Sequence, residues 1–240
     1  MGKGFGDTQI MCIINACLTK DYGVIASDSA EWNPNTKTMT FEKPKLMWVG
    51  GKHLMTFIGS NLFLTNLDLS KLSLSFDCLC VYLTEFLQGI NDSVQETFKG
   101  LVTDENEYPA KFCLFLLGVH NGNPALAQFN SFINFKPHFL WSDDGIKFAS
   151  IYYGEDNPDK QEIFLKTTEF MEEIARNYSG RYGGQISHGL AGEILTRGIY
   201  RKADLEEQIG DKVKYAGGVV TVARIDSGGH IYAPSNLISI

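Results

Sequence analysis

Apolar residues in this chain fall into short runs and long helical periodicities, arranged in blocks. Residues 12–19 and 22–29 are two apolar runs parted only by Lys20-Asp21, with Gly23 close behind, and they predict a β-hairpin. Residues 30–40 are polar, with a turn at Asn33-Pro34-Asn35. Two more predicted strands, 45–49 and 53–58, are joined by Gly50-Gly51-Lys52, a second hairpin signal. A helix is expected over Asn61–Leu69. Phe76, Cys80, Leu83, Leu87, Ile90, Val94 and Phe98 then recur every three or four residues, the mark of an amphipathic helix that Asp77 helps to start. Beyond an acidic loop at 103–107, strands are expected at 111–119, 124–130, 134–141 and 146–152. Asn157-Pro158 opens another helix, whose buried face holds Ile163, Thr167, Phe170, Met171, Ile174 and Tyr178 and which Gly180 can end. Ser187 is placed to cap the next helix, with Leu190, Ala191, Ile194, Leu195 and Ile199 inside. A short polar helix at 203–209 and strands at 213–225 and 230–233, joined at Asp226-Ser227-Gly228-Gly229, complete the pattern.

Strands in blocks and helices in blocks predict an α+β fold rather than alternating βαβ units. Two sheets packed face to face with helices over both outer faces, a four-layer αββα sandwich, would bury all of these elements. At 240 residues, with no linker or charge block, residues 12–240 read as a single domain behind a leader of residues 1–11. The net charge of −7 and the absence of a Lys/Arg cluster argue against a nucleic-acid surface, and the longest apolar stretch, Phe112 to Val119, is too short to span a bilayer. Lys3 followed by the run Ile10–Leu18 imitates a secretion signal, but Asn15 interrupts that run and a strand fits it equally. Five cysteines, an odd number without framework spacing, favour reduced thiols in a cytoplasm. Cys78-Leu79-Cys80 lacks the two-residue gap of a zinc half-site, so those thiols read as small buried hydrophobes.

The chemistry gathers in the first quarter of the chain. Cys12 opens the first predicted strand, Asp28 closes the second, Lys45 opens the third and Gly59 ends the fourth. A thiol, a carboxylate, a lysine and an unobstructed glycine N–H are the parts of a nucleophilic acyl-transfer site. The lysine favours thiolate, the carboxylate holds the lysine charged, and the glycine N–H meets a developing oxyanion. Were Cys12 an N-terminus, its α-amine, with an unperturbed pKa of about 7.7–8.0, could act as the base. Cys17 is the rival thiol, and His120 and His188 are the histidines of a Cys-His alternative. Each of these residues also has an ordinary structural role open to it.

The stretch Cys12–Gly59 resembles the N-terminal third of proteasome β subunits and of the related bacterial peptidases HslV and Anbu, which are N-terminal-nucleophile (Ntn) hydrolases. Tyr22–Ser29 matches the family's Gly-Val-Ile-x-Ala-Ala-Asp-Ser-like hairpin run. Counting back from Asp28 puts Cys12 on the nucleophile position. Lys45 falls on the family lysine with one extra residue before it, and Gly59, fourteen residues later, on the oxyanion glycine. The strand Ala216–Ala223 and the order of elements over roughly 12–233 also fit. The resemblance implies a cytoplasmic peptidase or amidase, free of metal or organic cofactor, assembled as a homo-oligomeric ring or stacked rings, acting on peptide and contacting neither nucleic acid nor membrane. The helices at 76–99 and 161–178 would be its contact surfaces. The chain departs from the family pattern at several points: Cys12 in place of threonine, Met11 in place of glycine before it, Ala30 in place of an arginine, and Val213 and Ala216 in place of an aspartate and a serine. Tyr153-Gly154-Glu155 replaces a serine-bearing loop. These departures imply a second reading, a catalytically silent structural subunit of the same fold.

Overall fold

A computed structural model describes residues 9–10, 13–29, 31–33, 38–40, 45–64, 66–98, 112–152, 158–179, 186–208, 218–234 and 238–239. The elements are β1 (Gln9–Ile10), β2 (Ile13–Leu18), β3 (Tyr22–Ser27), β4 (Glu31–Asn33), β5 (Thr38–Thr40), β6 (Met47–Val49), β7 (His53–Ser60), α1 (Phe76–Phe98), β8 (Phe112–His120), β9 (Asn123–Asn130), β10 (His138–Trp141), β11 (Lys147–Tyr152), α2 (Pro158–Ser179), α3 (His188–Gln208), β12 (Thr221–Asp226), β13 (Ile231–Tyr232) and β14 (Ile238–Ser239). They form two sheets and three helices, an α+β architecture. The nine-stranded sheet runs β10-β9-β8-β7-β1-β4-β5, with β6 and β14 branching from β7. The five-stranded sheet runs β11-β2-β3-β12-β13. Every ladder is antiparallel except β14 on β6.

Strand alternation decides which side chains meet. On the small sheet Ile14, Ala16, Leu18, Ile25, Ala223 and Ile225 share a core with Leu54, Leu114, Leu116 and Leu126 of the large sheet. The other face, Ile13, Cys17, Val24 and Ala26, packs on Met171 and Ala175 of α2 and Ala191, Ile194, Leu195 and Ile199 of α3. The apolar stripe of α1, Phe76, Leu79, Cys80, Leu83, Leu87 and Val94, joins the core of the large sheet. Asn15, polar in the middle of an apolar strand, is a cross-link. Its amide donates to the Leu195 carbonyl at 3.1 Å, and its oxygen accepts from Ser150 Oγ at 2.6 Å, tying β2 to α3 and β11.

Both predicted hairpins and the three main helices lie where the periodicity puts them. Pro158 is the first residue of α2, and Ser187 Oγ accepts the Leu190 N–H as the cap of α3. The predicted polar helix at 203–209 is the last part of α3 instead, because Lys202 and Leu205 are buried and carry the stripe onward. The expected helix at 61–69 breaks into 3-10 turns at Asn61–Leu64 and Leu69–Ser73, where the Asp68 carboxylate accepts from both the N–H and the hydroxyl of Ser70. Residues 134–137 are not strand. Asn134 and Phe135 have φ of 50° and 56°, and this left-handed turn sends Phe135 into the core against Phe63. The polar stretch 30–40 supplies β4 and β5, and β1 and β14 are also absent from the pattern, since strands of two or three residues carry no readable period. The predicted turn at 34–35, the loop 103–107, Asn157, Gly180 and the strand start 213–217 lie outside the described residues.

The β6–β7 hairpin, which carries Lys45 at one end and Gly59 at the other, turns at Gly50 and Gly51 with φ of 57° and 71°. A Cβ on Gly50 would stand 2.0 Å from the Leu72 carbonyl oxygen, whereas one on Gly51 would meet nothing within 4 Å. Gly50→Ala should therefore destabilise the protein by more than about 2 kcal/mol, and Gly51→Ala by about 1 kcal/mol from backbone strain alone. Denaturant unfolding of the two variants checks the difference, and equal losses would contradict it.

Candidate functional site

Asp28 is fully buried at the end of β3. Its peptide N–H donates to the Ile13 carbonyl at 3.3 Å, and its carboxylate accepts the Ile13 N–H at 3.2 Å. The side chain thus takes over where the β2–β3 ladder ends, and the residue it grips is the one following Cys12. Next to it, Ser27 Oγ donates to the Asp28 carbonyl and accepts from Thr56 Oγ1 at 3.4 Å, a direct polar contact between the two sheets. Ser29 Oγ accepts the Val219 N–H at 2.9 Å and anchors the chain leading into β12. These three hydroxyls were not among the candidates. Ser27 and Ser29 show in the sequence only as small polar residues closing an apolar run, and Thr56 only as a lone hydroxyl inside one.

Thr56 also marks the way to Gly59, three residues further along β7, about 10 Å of strand. Gly59 has φ of 112°, a conformation that side-chain-bearing residues rarely adopt. It pairs with Phe112 on one side and with Ile10 on the other, and Gln9 pairs with Ser60 and Trp32. Residues 9–10 are therefore a short strand inserted between β7 and β4. Cys12 and Met11 lie outside the described residues, but the chain on either side of them is held. Ile10 stands opposite Gly59, and Ile13 is bonded to Asp28. Three Cα–Cα steps separate Ile10 from Ile13, at most about 11 Å. The carboxylate and the glycine are thereby tied to two points of one short stretch that contains Cys12.

Lys45, 7% exposed, lies just ahead of β6, and Met47 two residues on pairs with Met55 of β7. A buried ammonium and a buried carboxylate are tolerable only when partnered, and neither Lys45 nor Asp28 lacks a partner. Ala30, Val213, Ala216 and residues 153–155 lie outside the described residues.

The rival groups are used up elsewhere. Cys17 is fully buried, and burial pushes its thiol from an ordinary 9.0 up to about 12, so it remains a neutral core residue at physiological pH. Cys80 is likewise raised to about 12, by burial and by the charge of Asp77. His120 does find a carboxylate, Asp77 Oδ1 at 2.7 Å, although the two are far apart in sequence, but both side chains lie exposed at the start of α1. His188 meets the ring of Tyr22 edge-on, with centroids 6.2 Å apart. It also lines a cavity of about 590 Å³ between α3 and β12–β13, with Gly192, Thr196, Arg224 and Tyr232. That cavity contains none of Asp28, Lys45 and Gly59, and its two hydroxyls are engaged, Thr196 Oγ1 donating back to the Gly192 carbonyl within the helix and the Tyr232 hydroxyl to Asp226 Oδ2 at 3.5 Å. Among the described residues no cluster of three or more His, Cys, Asp or Glu could hold a metal ion, and no helix is long and apolar enough to cross a membrane.

No protein-family profile matches this chain, and no curated protein matches it either. The reading of the site therefore rests on its own geometry.

The Cys17 shift has a sign that can be tested. The unfolded thiol ionises near 9.0 and the folded one near 12, so the unfolded state sheds its proton first as pH rises. The contribution of Cys17 to stability is complete below pH 9 and should decline between about 9 and 12. Urea titrations across that window should show a shallower decline for Cys17→Ala than for the wild type, and parallel curves would refute the assignment.

Proposed function

We propose that this chain is a proteasome-like N-terminal-nucleophile hydrolase of peptide or amide bonds, with the four-layer αββα arrangement of that class and Cys12 as nucleophile. The observation that carries the reading is the way Ile10 and Ile13, on either side of Met11-Cys12, are held. Upstream of the Met11–Cys12 bond the chain lies as a strand opposite Gly59, and downstream the Ile13 N–H rests on the Asp28 carboxylate. Self-cleavage needs the peptide before the nucleophile to lie beside a donor such as the Gly59 N–H, and Ile10, which precedes the Met11–Cys12 bond, pairs antiparallel with that glycine. The face-to-face sheets, with α1 against one and α2–α3 against the other, support the same class.

In this reading Cys12 Sγ, deprotonated, adds to the Met11 carbonyl carbon, and the oxyanion is met by the Gly59 N–H. The C–N bond to Cys12 breaks and its nitrogen takes a proton to become a free α-amine. Residues 1–11 are left as a thioester. Water hydrolyses that ester, releasing the leader as a carboxylic acid and restoring the thiol. The freed amine then serves as base for later substrates: it accepts the Cys12 proton, the thiolate attacks the substrate carbonyl, the amine product leaves with that proton, and water clears the second thioester. Lys45 favours the thiolate, and Asp28 keeps the segment that carries it in place. The steps as proposed use no metal or organic cofactor. Homo-oligomeric rings, a peptide substrate and a cytoplasmic location follow from the family analogy.

One observation favours the alternative of a catalytically silent subunit: Val213 and Ala216 stand where the family carries the carboxylate and hydroxyl that support the nucleophile's amine. Intact mass separates the two. The wild-type protein is expected to lose residues 1–11 while Cys12→Ala keeps them. A full-length wild-type mass, together with a Cys12 inert to iodoacetamide at neutral pH, would sink the hydrolase and leave the scaffold.

A companion variant divides the two jobs of Asp28. Asp28→Asn retains an oxygen for the Ile13 N–H but loses the charge. It should fold normally and slow leader loss by about tenfold or more, because the buried negative charge that would hold the Lys45 ammonium by the nucleophile is lost. Asp28→Ala should in addition cost about 1–3 kcal/mol, because the buried Ile13 N–H is left without its acceptor. Unchanged cleavage in Asp28→Asn would remove Asp28 from the mechanism.

A further inference from the structure

The large sheet ends at β10, whose outer edge pairs with no strand among the described residues. Its four residues, His138-Phe139-Leu140-Trp141, include no Lys, Arg, Asp or Glu to discourage pairing. Phe139 and Trp141 are 39% and 44% exposed. They stand on one face, opposite the small side chains of Ala127 and Ala125 on β9, and Phe139 touches Phe76 edge-on at the start of α1. Charge flanks this apolar segment asymmetrically. Lys136 precedes it, and Asp143-Asp144 follow it, all exposed.

A strand with opposite charges at its two ends complements an antiparallel copy of itself. The outward peptide groups of an edge strand belong to alternate residues, so a two-fold antiparallel pairing must match residues of the same parity. With Leu140 on the axis, Leu140 meets Leu140 of the copy, Phe139 meets Trp141, and Lys136 is aligned with Asp144. Each heterotypic pair occurs twice. The chain bends after Ser142, whose Oγ donates to the carbonyls of Asp144 and Gly145, so Lys136 reaches the carboxylate with its long stem rather than as a ladder partner. The neighbouring register, with Phe139 on the axis, aligns Lys136 with Ser142 and leaves Trp141 against Pro137, losing both kinds of pair.

We propose that β10 pairs antiparallel with β10 of a second copy of this chain about a two-fold axis at Leu140, joining two nine-stranded sheets edge to edge. Cross-strand aromatic and opposite-charge pairs are the units that stabilise such a seam. This contact is independent of the cleavage chemistry, so Cys12→Ala should assemble as the wild type does.

A charge swap tests it. Sedimentation equilibrium of the full-length chain is followed for the wild type, Lys136→Glu, Asp144→Lys and the double variant. Each single change places like charges together twice and should raise the dissociation constant of the β10 contact by about tenfold. The double variant should restore it to within about threefold. Both positions are exposed, so thermal melting at concentrations where the contact is dissociated should be unaltered. The proposal is overturned by a chain that stays monomeric throughout, by assembly that the single variants leave unmoved, by a double variant no better than the singles, or by a different protein's strand found on β10 of a monomeric chain.

Discussion

Asp28 and Ile13 exchange two bonds across the open end of the β2–β3 hairpin, one from peptide N–H to carbonyl and one from peptide N–H to carboxylate. Much of the structure depends on the register they hold. A slip of one residue would turn every side chain of β2 to the wrong face. Asn15 would leave the Leu195 carbonyl and Ser150, and Ile13 and Cys17 would leave the α2–α3 core for the space between the sheets. The exchange also fixes where the chain before Ile13 must go, which is toward the large sheet and the slot between β7 and β4.

Position follows from that constraint. Ser27 and Thr56 join the sheets just beside Asp28, and β7 continues from Thr56 to Gly59. Ile13 on the small sheet and Ile10 on the large one are therefore both fixed, the first by a buried carboxylate and the second opposite a positive-φ glycine. The cavity beside α3 lies apart from this pair of anchors.

Legibility followed length. The stripes of α1, α2 and α3 span many turns, and their buried positions were readable because each repeats its period several times. The hairpin at Gly50-Gly51 was readable because glycine takes two left-handed conformations in a row at little cost. The segments 61–69 and 134–137 were misread for opposite reasons. In the first, Asp68 draws the local donors into a cap that stops a helix; in the second, a buried bulky residue holds a left-handed turn that its propensity opposes. Asn15 looked like an interruption because its two partners, at 150 and 195, come from other elements.

What the sequence determined by itself was whatever depends on near neighbours: the class of fold, the helical faces, the tight turn, and the placing of Asp28, Lys45 and Gly59 at strand ends. The tertiary structure alone decided that residues 9–10 are a strand opposite Gly59, that Asp28 grips Ile13, that Cys17 is a core thiol, and that β10 lies at an edge. Each of these is set by pairing between segments distant in the chain. Such contacts have no period to announce them, and the free energy that selects them arises only when whole faces are brought together.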